Sequence, residues 1–347
     1  MNENARINAC TLFDSNFMYQ GLTMINSVIK NSKLIINWTV LALDEITFDT
    51  LCDLNLPNTS IVNIESLRDE ELSGLKNLRN WNELCWTAAS CLLSKVVEKS
   101  QTGEISVYID ADCFFYGDIS KSINELFLRS EITIHAHNFS PDRIHWMKKS
   151  GIYNVGLVGG KKGPEFQQCL ERWRRQVLNE CIVDKDAGKC GDQTYLNEWP
   201  DLYSNLSIMD SSHSGLGPWN LNNYNLRSIN KVPYNNAEKI IFFHFHAMQI
   251  GKINSFFWAF IPAAGYSLNK TNISHIYKPY INALKDIYIL LNNSLLDSRF
   301  KKSCTWYLKG VLRLRLFLVF FQPANKSISN FVSLYSNKEY INRRYDY

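Results

Sequence analysis

The sequence predicts an α/β fold, a mostly parallel central sheet flanked by helices, and three observations carry that expectation. Strand-like and helix-like patterns alternate through the first half of the chain. One strand-like run, Val107 to Ile109, leads straight into Asp110-Ala111-Asp112, an acidic pair at a strand's carboxyl end, where sheets of this class bind their ligands. The composition, 46% hydrophobic and 13% aromatic over 347 residues, is rich enough to fill a substantial core.

Taken in order, Ile7 to Phe13 reads as the first strand and Phe17 to Lys30 as an amphipathic helix behind it. Asn37 to Leu43 and Ser60 to Ile64 are strand-like, and Trp81 to Lys99 is a long helical pattern. The strand into Asp110 follows, then a helix from Ile119 to Arg129 and a strand from Ile132 to Ala136. After Ser150 the rhythm changes to a strand over Tyr153 to Val158, a helix over Pro164 to Asn179 and a loop-rich stretch with short strands. No flexible linker separates the two patterns, so 1–265 is expected to be one continuous unit of two parts, about 1–150 and 151–265. From Ile276 onward the pattern is helical, and 266–347 reads as a basic, aromatic C-terminal region.

The net charge of +4 is unevenly placed. Between Tyr266 and Tyr347 thirteen Lys/Arg face four Asp/Glu, which leaves the remaining residues at about −5. A basic tail on a mildly acidic body argues for a polyanionic surface meeting the tail, not for a nucleic-acid groove in the body. The apolar, basic stretch 301–321 is too short and too charged for a transmembrane span; it reads either as an interfacial helix on an anionic membrane or as a buried helix with solvated arginines. The nine cysteines are scattered, with no C-x-x-C pair, which excludes zinc ribbons and thioredoxin-type chemistry and fits a reducing compartment. The start of the chain has no signal-peptide core, so a cytoplasmic protein is expected, with peripheral contact on the cytoplasmic face of an inner membrane through 301–321.

Five segments carry chemistry. Alternate residues on an extended chain share a face, so Asp110 and Asp112 can offer two hard oxygens to one divalent cation clamping a diphosphate; the plain alternative is an acidic strand-end turn. Thr11 and Phe13 close the first strand, and Asp14 and Asn16 in the turn after it can hold a base and ribose, although such residues also cap helices. Tyr153-Asn154-Val155-Gly156 is a strand bearing an amide and a glycine, and Asp192 and Gln193 are placed to open a helix. Ile240 to Ala247 is a strand with His244 and His246 at i and i+2, on one face. Gly217-Pro218-Trp219-Asn220 suits sugar stacking and hydrogen bonding, or equally a structural turn around a core tryptophan.

The order strand–turn–helix, D-x-D, N-x-G, D-Q-x-x-L-N and late histidine resembles family 8 of the retaining GT-A glycosyltransferases. Gly191 to Pro200 and Gly217 to Asn220 look like a bacterial subgroup of surface-polysaccharide synthesis, and the resemblance spans about three quarters of the chain. It implies a GT-A fold, a nucleotide-sugar donor such as a UDP-sugar, a glycan or lipid-linked oligosaccharide acceptor, and Mn²⁺, with Mg²⁺ as the other option. It implies that Asp110, Asp112 and a late-strand histidine bind the metal, with His244 favoured by motif register. Donor contacts would come from Thr11, Phe13, Asp14, Asn16, Asp110, Ala111, Asp112, Asn154, Gly156, His246 and Lys252. Asp192 and Gln193 would act at the reacting carbon, and Gly217, Trp219 and Asn220 on the acceptor side. The chain departs from the family after the histidine, where Ala247 replaces a usual glycine, Ile250 stands at a lysine position and Lys252 is displaced. Three rivals follow: an inverting enzyme using Asp201 or Glu198 as base, a nucleotidyltransferase, which lacks its Gly-rich phosphate loop between Ile7 and Lys30, and a decayed domain that binds or scaffolds glycans.

Overall fold

The structure, a computed structural model, describes residues 6–120, 130–184, 186–230, 232–253, 256–260 and 269–291. Seven strands form the central sheet: β1 (Arg6–Phe13), β2 (Ile35–Ala42), β3 (Thr59–Val62), β4 (Ile105–Ile109), β6 (Ile132–Ala136), β7 (Tyr153–Lys161) and β8 (Leu206–Ile208). Between β4 and β6 lies a short strand, β5 (Cys113–Phe115), outside this sheet. The order across the sheet is β8-β6-β7-β4-β1-β2-β3, and β7 alone runs against its neighbours. This is the mostly parallel sheet with flanking helices that the alternation predicts.

Burial on both faces explains the apolar strands. In β1, Ile7, Ala9 and Phe13 enter one core, whereas Cys10 and Leu12 enter the other. The first core is covered by α1 (Met18–Asn31) and by α5 (Lys278–Leu290), whose Tyr288 ring lies 5.8 Å from that of Tyr19. The second is covered by α3 (Trp81–Lys99) and α4 (Pro164–Asn179). Helix α3 begins where expected because Asn80 and Glu83 form a reciprocal capping box. Helix α4 starts on Pro164 and buries Phe166, Cys169, Leu170, Trp173 and Val177 at helical spacing.

Several expectations shift. Helix α2 (Glu45–Leu54) is missed by the sequence reading, although Asp44 caps it by accepting from the Thr47 N–H. The strand expected over Ile240 to Ala247 contracts to β9 (Phe242–His244), which pairs antiparallel with β5. The Phe245 N–H still meets the Asp112 carbonyl in the same register, and the chain then turns, with the Met248 N–H closing on the Phe245 carbonyl and Ala247 at a φ of 61°. Most of the helix expected over Ile119 to Arg129 and the segment 301–321 lie outside the described residues. Of the expected C-terminal region, 269–291 is packed into the first core, with Tyr277, Tyr280, Leu284 and Ile287 buried. Among the described residues no helix is long and apolar enough to cross a membrane.

Candidate active site

The chain reverses its direction of sheet growth between β1 and β4: β1, β2 and β3 extend one way, and β4 returns to the other side of β1. A crevice at the carboxyl ends of such a pair is where open α/β sheets bind ligands. Asp14 follows β1 into this crevice and Asp110 follows β4.

Beyond Ile109 the backbone leaves the sheet. The Asp110 N–H donates to the Gly156 carbonyl, and the Cys113 N–H closes a turn on the Asp110 carbonyl. That turn aims both carboxylates at His244, which the β5–β9 ladder sets opposite Cys113. His244 Nε2 is 2.9 Å from Asp112 Oδ1 and 3.8 Å from Asp110 Oδ2. The Tyr108 hydroxyl donates to Asp110 Oδ1 at 2.8 Å. Both carboxylates thus lie near one imidazole nitrogen, and oxygen and nitrogen donors of this kind suit a hard or borderline divalent cation such as Mn²⁺ or Mg²⁺. Burial and the neighbouring Asp112 carboxylate push the Asp110 pKa up, although His244 opposes the shift. Burial also works against ionised Asp112, but the His244 charge and hydrogen bond overcome it and hold that carboxyl low. His244 is raised because the Asp112 and Asp110 carboxylates outweigh its own desolvation. A cation at this point would take the place of the imidazolium proton. Cys113 Sγ also lies within reach of Asp112 and His244, but burial drives its pKa well up and it donates to the Gly156 carbonyl, so it is a poor ligand.

Behind His244 stands Asn154. Its Oδ1 accepts from the Gly156 N–H at 2.8 Å and from His244 Nδ1 at 3.0 Å. Its Nδ2 donates to His137 Nε2 at 3.1 Å and to Gln193 Oε1 at 3.2 Å. Both oxygen lone pairs of Asn154 are thus occupied inside the protein. Gly156 is required by proximity, since a Cβ there would sit 2.6 Å from His244 Nδ1 and 2.8 Å from Asn154 Oδ1.

Gln193 opens a short 3-10 helix (Gln193–Glu198), as expected in kind, and its Nε2 donates to the Ser150 carbonyl at 2.8 Å. Trp173 of α4 donates its indole N–H to the Asp192 carbonyl at 3.0 Å, fixing that turn in place. The Asp192 carboxyl is buried, and burial reinforced by Asp110 raises its pKa well above the carboxylate range.

Other predicted residues take different parts. Thr11 and Phe13 have buried side chains, 0% and 2% exposed. Ala111 likewise joins the first core. Asp14 accepts from the Asn16 N–H, the Asn16 amide and the Phe17 N–H, which orders the turn into α1. Trp219 is buried, donates to the His137 carbonyl at 2.8 Å and meets the His244 and His246 rings edge-on. Asn220 donates to the same carbonyl and accepts from the Gly217 N–H. Gly217, Trp219 and Asn220 thus build a turn beneath the histidines, which favours the structural alternative. His246 follows, its ring 6.2 Å from that of His244 and within electrostatic reach of Asp112. The Lys252 side chain lies outside the described residues. Glu198 is held by Arg172 and Gln176 on the outer surface and Asp201 is exposed there too, so neither is placed as a base in this crevice.

The sequence reading passed over three residues of this network: Tyr108, His135 and His137. The signal for the histidines was present, since Ile132 to His137 carries the same His-x-His spacing as His244 and His246. Both rings are buried, and burial holds both neutral with pKa lowered to about 3. On the outer side of His137, whose ring stacks on Phe139 at 4.7 Å, a cavity of about 720 Å³ is lined by Asn138, Phe139, Ile144, Ser211, Asn223 and Tyr224, among others.

No family model matches the chain. It is similar to the uncharacterized protein YfnF of Bacillus subtilis (strain 168), 29% identical over 256 residues, covering 71% of this chain and 82% of the relative. It is similar also to YfnD of the same organism, 26% identical over 249 residues, covering 71% and 78%. Among solved structures, the galactosyltransferase LgtC in complex with donor and acceptor sugar analogs superposes with a TM-score of 0.49 at 13% identity, covering 80% of this chain and 95% of that one. The glycosyltransferase GlyE of Streptococcus pneumoniae TIGR4 gives a TM-score of 0.47 at 14% identity, covering 86% of this chain and 64% of that one.

Proposed function

We propose that the protein is a metal-dependent glycosyltransferase that moves a sugar from a nucleoside diphosphate donor, a UDP-sugar, to a glycan or glycolipid acceptor in surface-polysaccharide synthesis. The observation that carries the reading is the approach of Asp110 and Asp112 to His244 Nε2 at the carboxyl end of β4, with Gln193 joined to His244 through Asn154 and Asp192 within electrostatic reach of Asp110. These donors fit Mn²⁺ or Mg²⁺, and such a cation supplies the positive charge that a departing diphosphate needs.

The chain's own groups divide the remaining work. Gln193 Oε1 carries one donor, Asn154 Nδ2, so a lone pair remains to face positive charge at the anomeric carbon. An amide is a poor nucleophile, so no covalent intermediate forms on Gln193; retention by same-face attack, assisted by the leaving phosphate, is what the resemblance to family 8 implies. The buried, proton-rich carboxyl of Asp192 suits a hydrogen bond to a sugar hydroxyl. The neutral cavity beside His137, lined by amides, hydroxyls and apolar side chains, suits a saccharide acceptor. We place the enzyme in the cytoplasm, with 301–321 meeting anionic headgroups; cosedimentation with anionic vesicles, lost when that segment is removed, tests it.

Asp112→Asn is expected to keep the fold and lower transfer at least ~100-fold, the scale of losing a principal electrostatic stabiliser. Donor turnover measured with Mn²⁺ checks this; near-normal rates in the variant, or full activity in EDTA, overturn the assignment. NMR of the product anomer decides retention.

A further inference from the structure

We infer that His137 is a positioning residue: through Asn154 it fixes the ring orientation and tautomer of His244, so that His244 Nε2 presents its lone pair to the cation site. This rests on the proposed cation site and goes beyond it.

The argument begins with a backbone group that has no choice of role. The Gly156 N–H can only donate, so the Asn154 atom 2.8 Å away must be the oxygen. The amide's other end is then NH₂, which can only donate. His137 Nε2, 3.1 Å from it, must accept, and the proton of the neutral ring belongs on Nδ1. His244 Nδ1 faces the same Asn154 oxygen at 3.0 Å and must donate. With its proton fixed on Nδ1, a neutral His244 leaves Nε2 as the lone-pair nitrogen, and Nε2 is the atom that faces Asp112 and Asp110. The Gly156 N–H at one end and the His137 acceptor at the other therefore hold the amide in one orientation, which sets both tautomers, the arrangement by which outer partners orient metal-binding histidines.

His137 itself is costly. Its Nδ1 is buried with no hydrogen-bond partner among the described residues. A phenylalanine would fill the slot between Phe139 and Trp219 without that cost. What it would lack is one of the two acceptors for Asn154 Nδ2, leaving Gln193 Oε1 alone to hold the amide. Packing alone does not explain an imidazole here; holding the amide does.

The experiment compares wild type with His137→Phe and His137→Gln, whose amide oxygen can accept from Asn154. Mn²⁺ affinity is read by electron paramagnetic resonance titration without nucleotide, and tautomers by long-range ¹H–¹⁵N correlation NMR of the metal-free protein. Mn²⁺ binding about 10-fold weaker in His137→Phe and within about twofold of wild type in His137→Gln is expected, outer-partner changes costing roughly 10–100-fold. His137 should show a bare Nε2 and a protonated Nδ1. Wild-type affinity in both variants, or an Nε2–H tautomer of His137, overturns the inference. If His137→Phe does not fold, the tautomer spectrum and His137→Gln decide. If wild type binds no Mn²⁺, the cation reading falls, and the tautomer of His137 still decides whether its bond to Asn154 exists.

Discussion

Gly156 and Ala247 show how single backbone positions govern the site. Any side chain at Gly156 would enter the space where His244 Nδ1 meets Asn154 Oδ1. Gly156→Ala is therefore expected to destabilise by about 1–3 kcal/mol, the usual cost of overpacking, and to weaken Mn²⁺ binding together with the fold. Thermal melts and a Mn²⁺ titration check it; an unchanged affinity would detach the glycine from the site. Ala247 presents the opposite case. The resembled family usually has glycine at this position, and here the alanine sits at a φ of 61°, a left-handed conformation that penalises a Cβ. Ala247→Gly is expected to stabilise by about 1 kcal/mol, read as a higher melting temperature with transfer retained. The departure from the family pattern thus changes strain in the turn and leaves its shape intact.

At the scale of elements, the ladder between β5 and β9 matters most for function because it brings a histidine to aspartates more than a hundred positions earlier in the chain. Helix α2 holds the neighbouring wall through its cap. Asp44 accepts from the Thr47 N–H, the Ser15 N–H and the Ser15 hydroxyl, tying the start of α2 to the turn after β1. Burial works to raise its pKa, but those hydrogen bonds prevail and hold the carboxyl at about 2. A depressed pKa means stability that is complete above the ordinary value of 3.8 and is lost as the pH falls toward 2. Asp44→Ala should cost about 1 kcal/mol at pH 7, after allowing for solvent screening of a partly exposed group. The gap from wild type should close between pH 4 and pH 2, as melts across that range would show. A constant gap would mean that the ionised carboxylate is not what holds the helix.

Across the whole molecule, the site joins residues far apart in the chain: Asp110 and Asp112 from the part before Ser150, and Asn154, Asp192, Gln193 and His244 from the part after it. Ligand binding at such a junction should stabilise the molecule by mass action, about 2.7 kcal/mol at a hundredfold excess over Kd. Mn²⁺ with UDP is expected to raise the melting temperature of wild type by several degrees and to leave Asp112→Asn nearly unmoved. An equal shift in both would place the ligand elsewhere. The comparison with EDTA-treated protein separates the metal's share from that of the nucleotide.

Periodicity and turn chemistry were enough to read the sheet-and-helix order, because β1, α1, α3, β6 and α4 each have local causes: alternating apolar residues, a capping box, or proline at a helix start. The paired aspartates and the late histidine stood out by residue type and motif order, but it is the turn after Ile109, not strand alternation, that brings both carboxylates to His244. Tertiary structure alone decided the rest. Only the β5–β9 pairing sets His244 against Asp112, because its register places that histidine opposite Cys113. Only the register of β6 against β7 sets His135 opposite Asn154, next to a shift in the ladder, with His137 just beyond. Hydrogen-bond partners far apart in sequence then turn Asn154 inward, Trp219 beneath the histidines and His137 toward the amide. Such partners leave no periodic trace in the sequence, because a hydrogen bond depends on two atoms meeting and not on the spacing of either along its own chain.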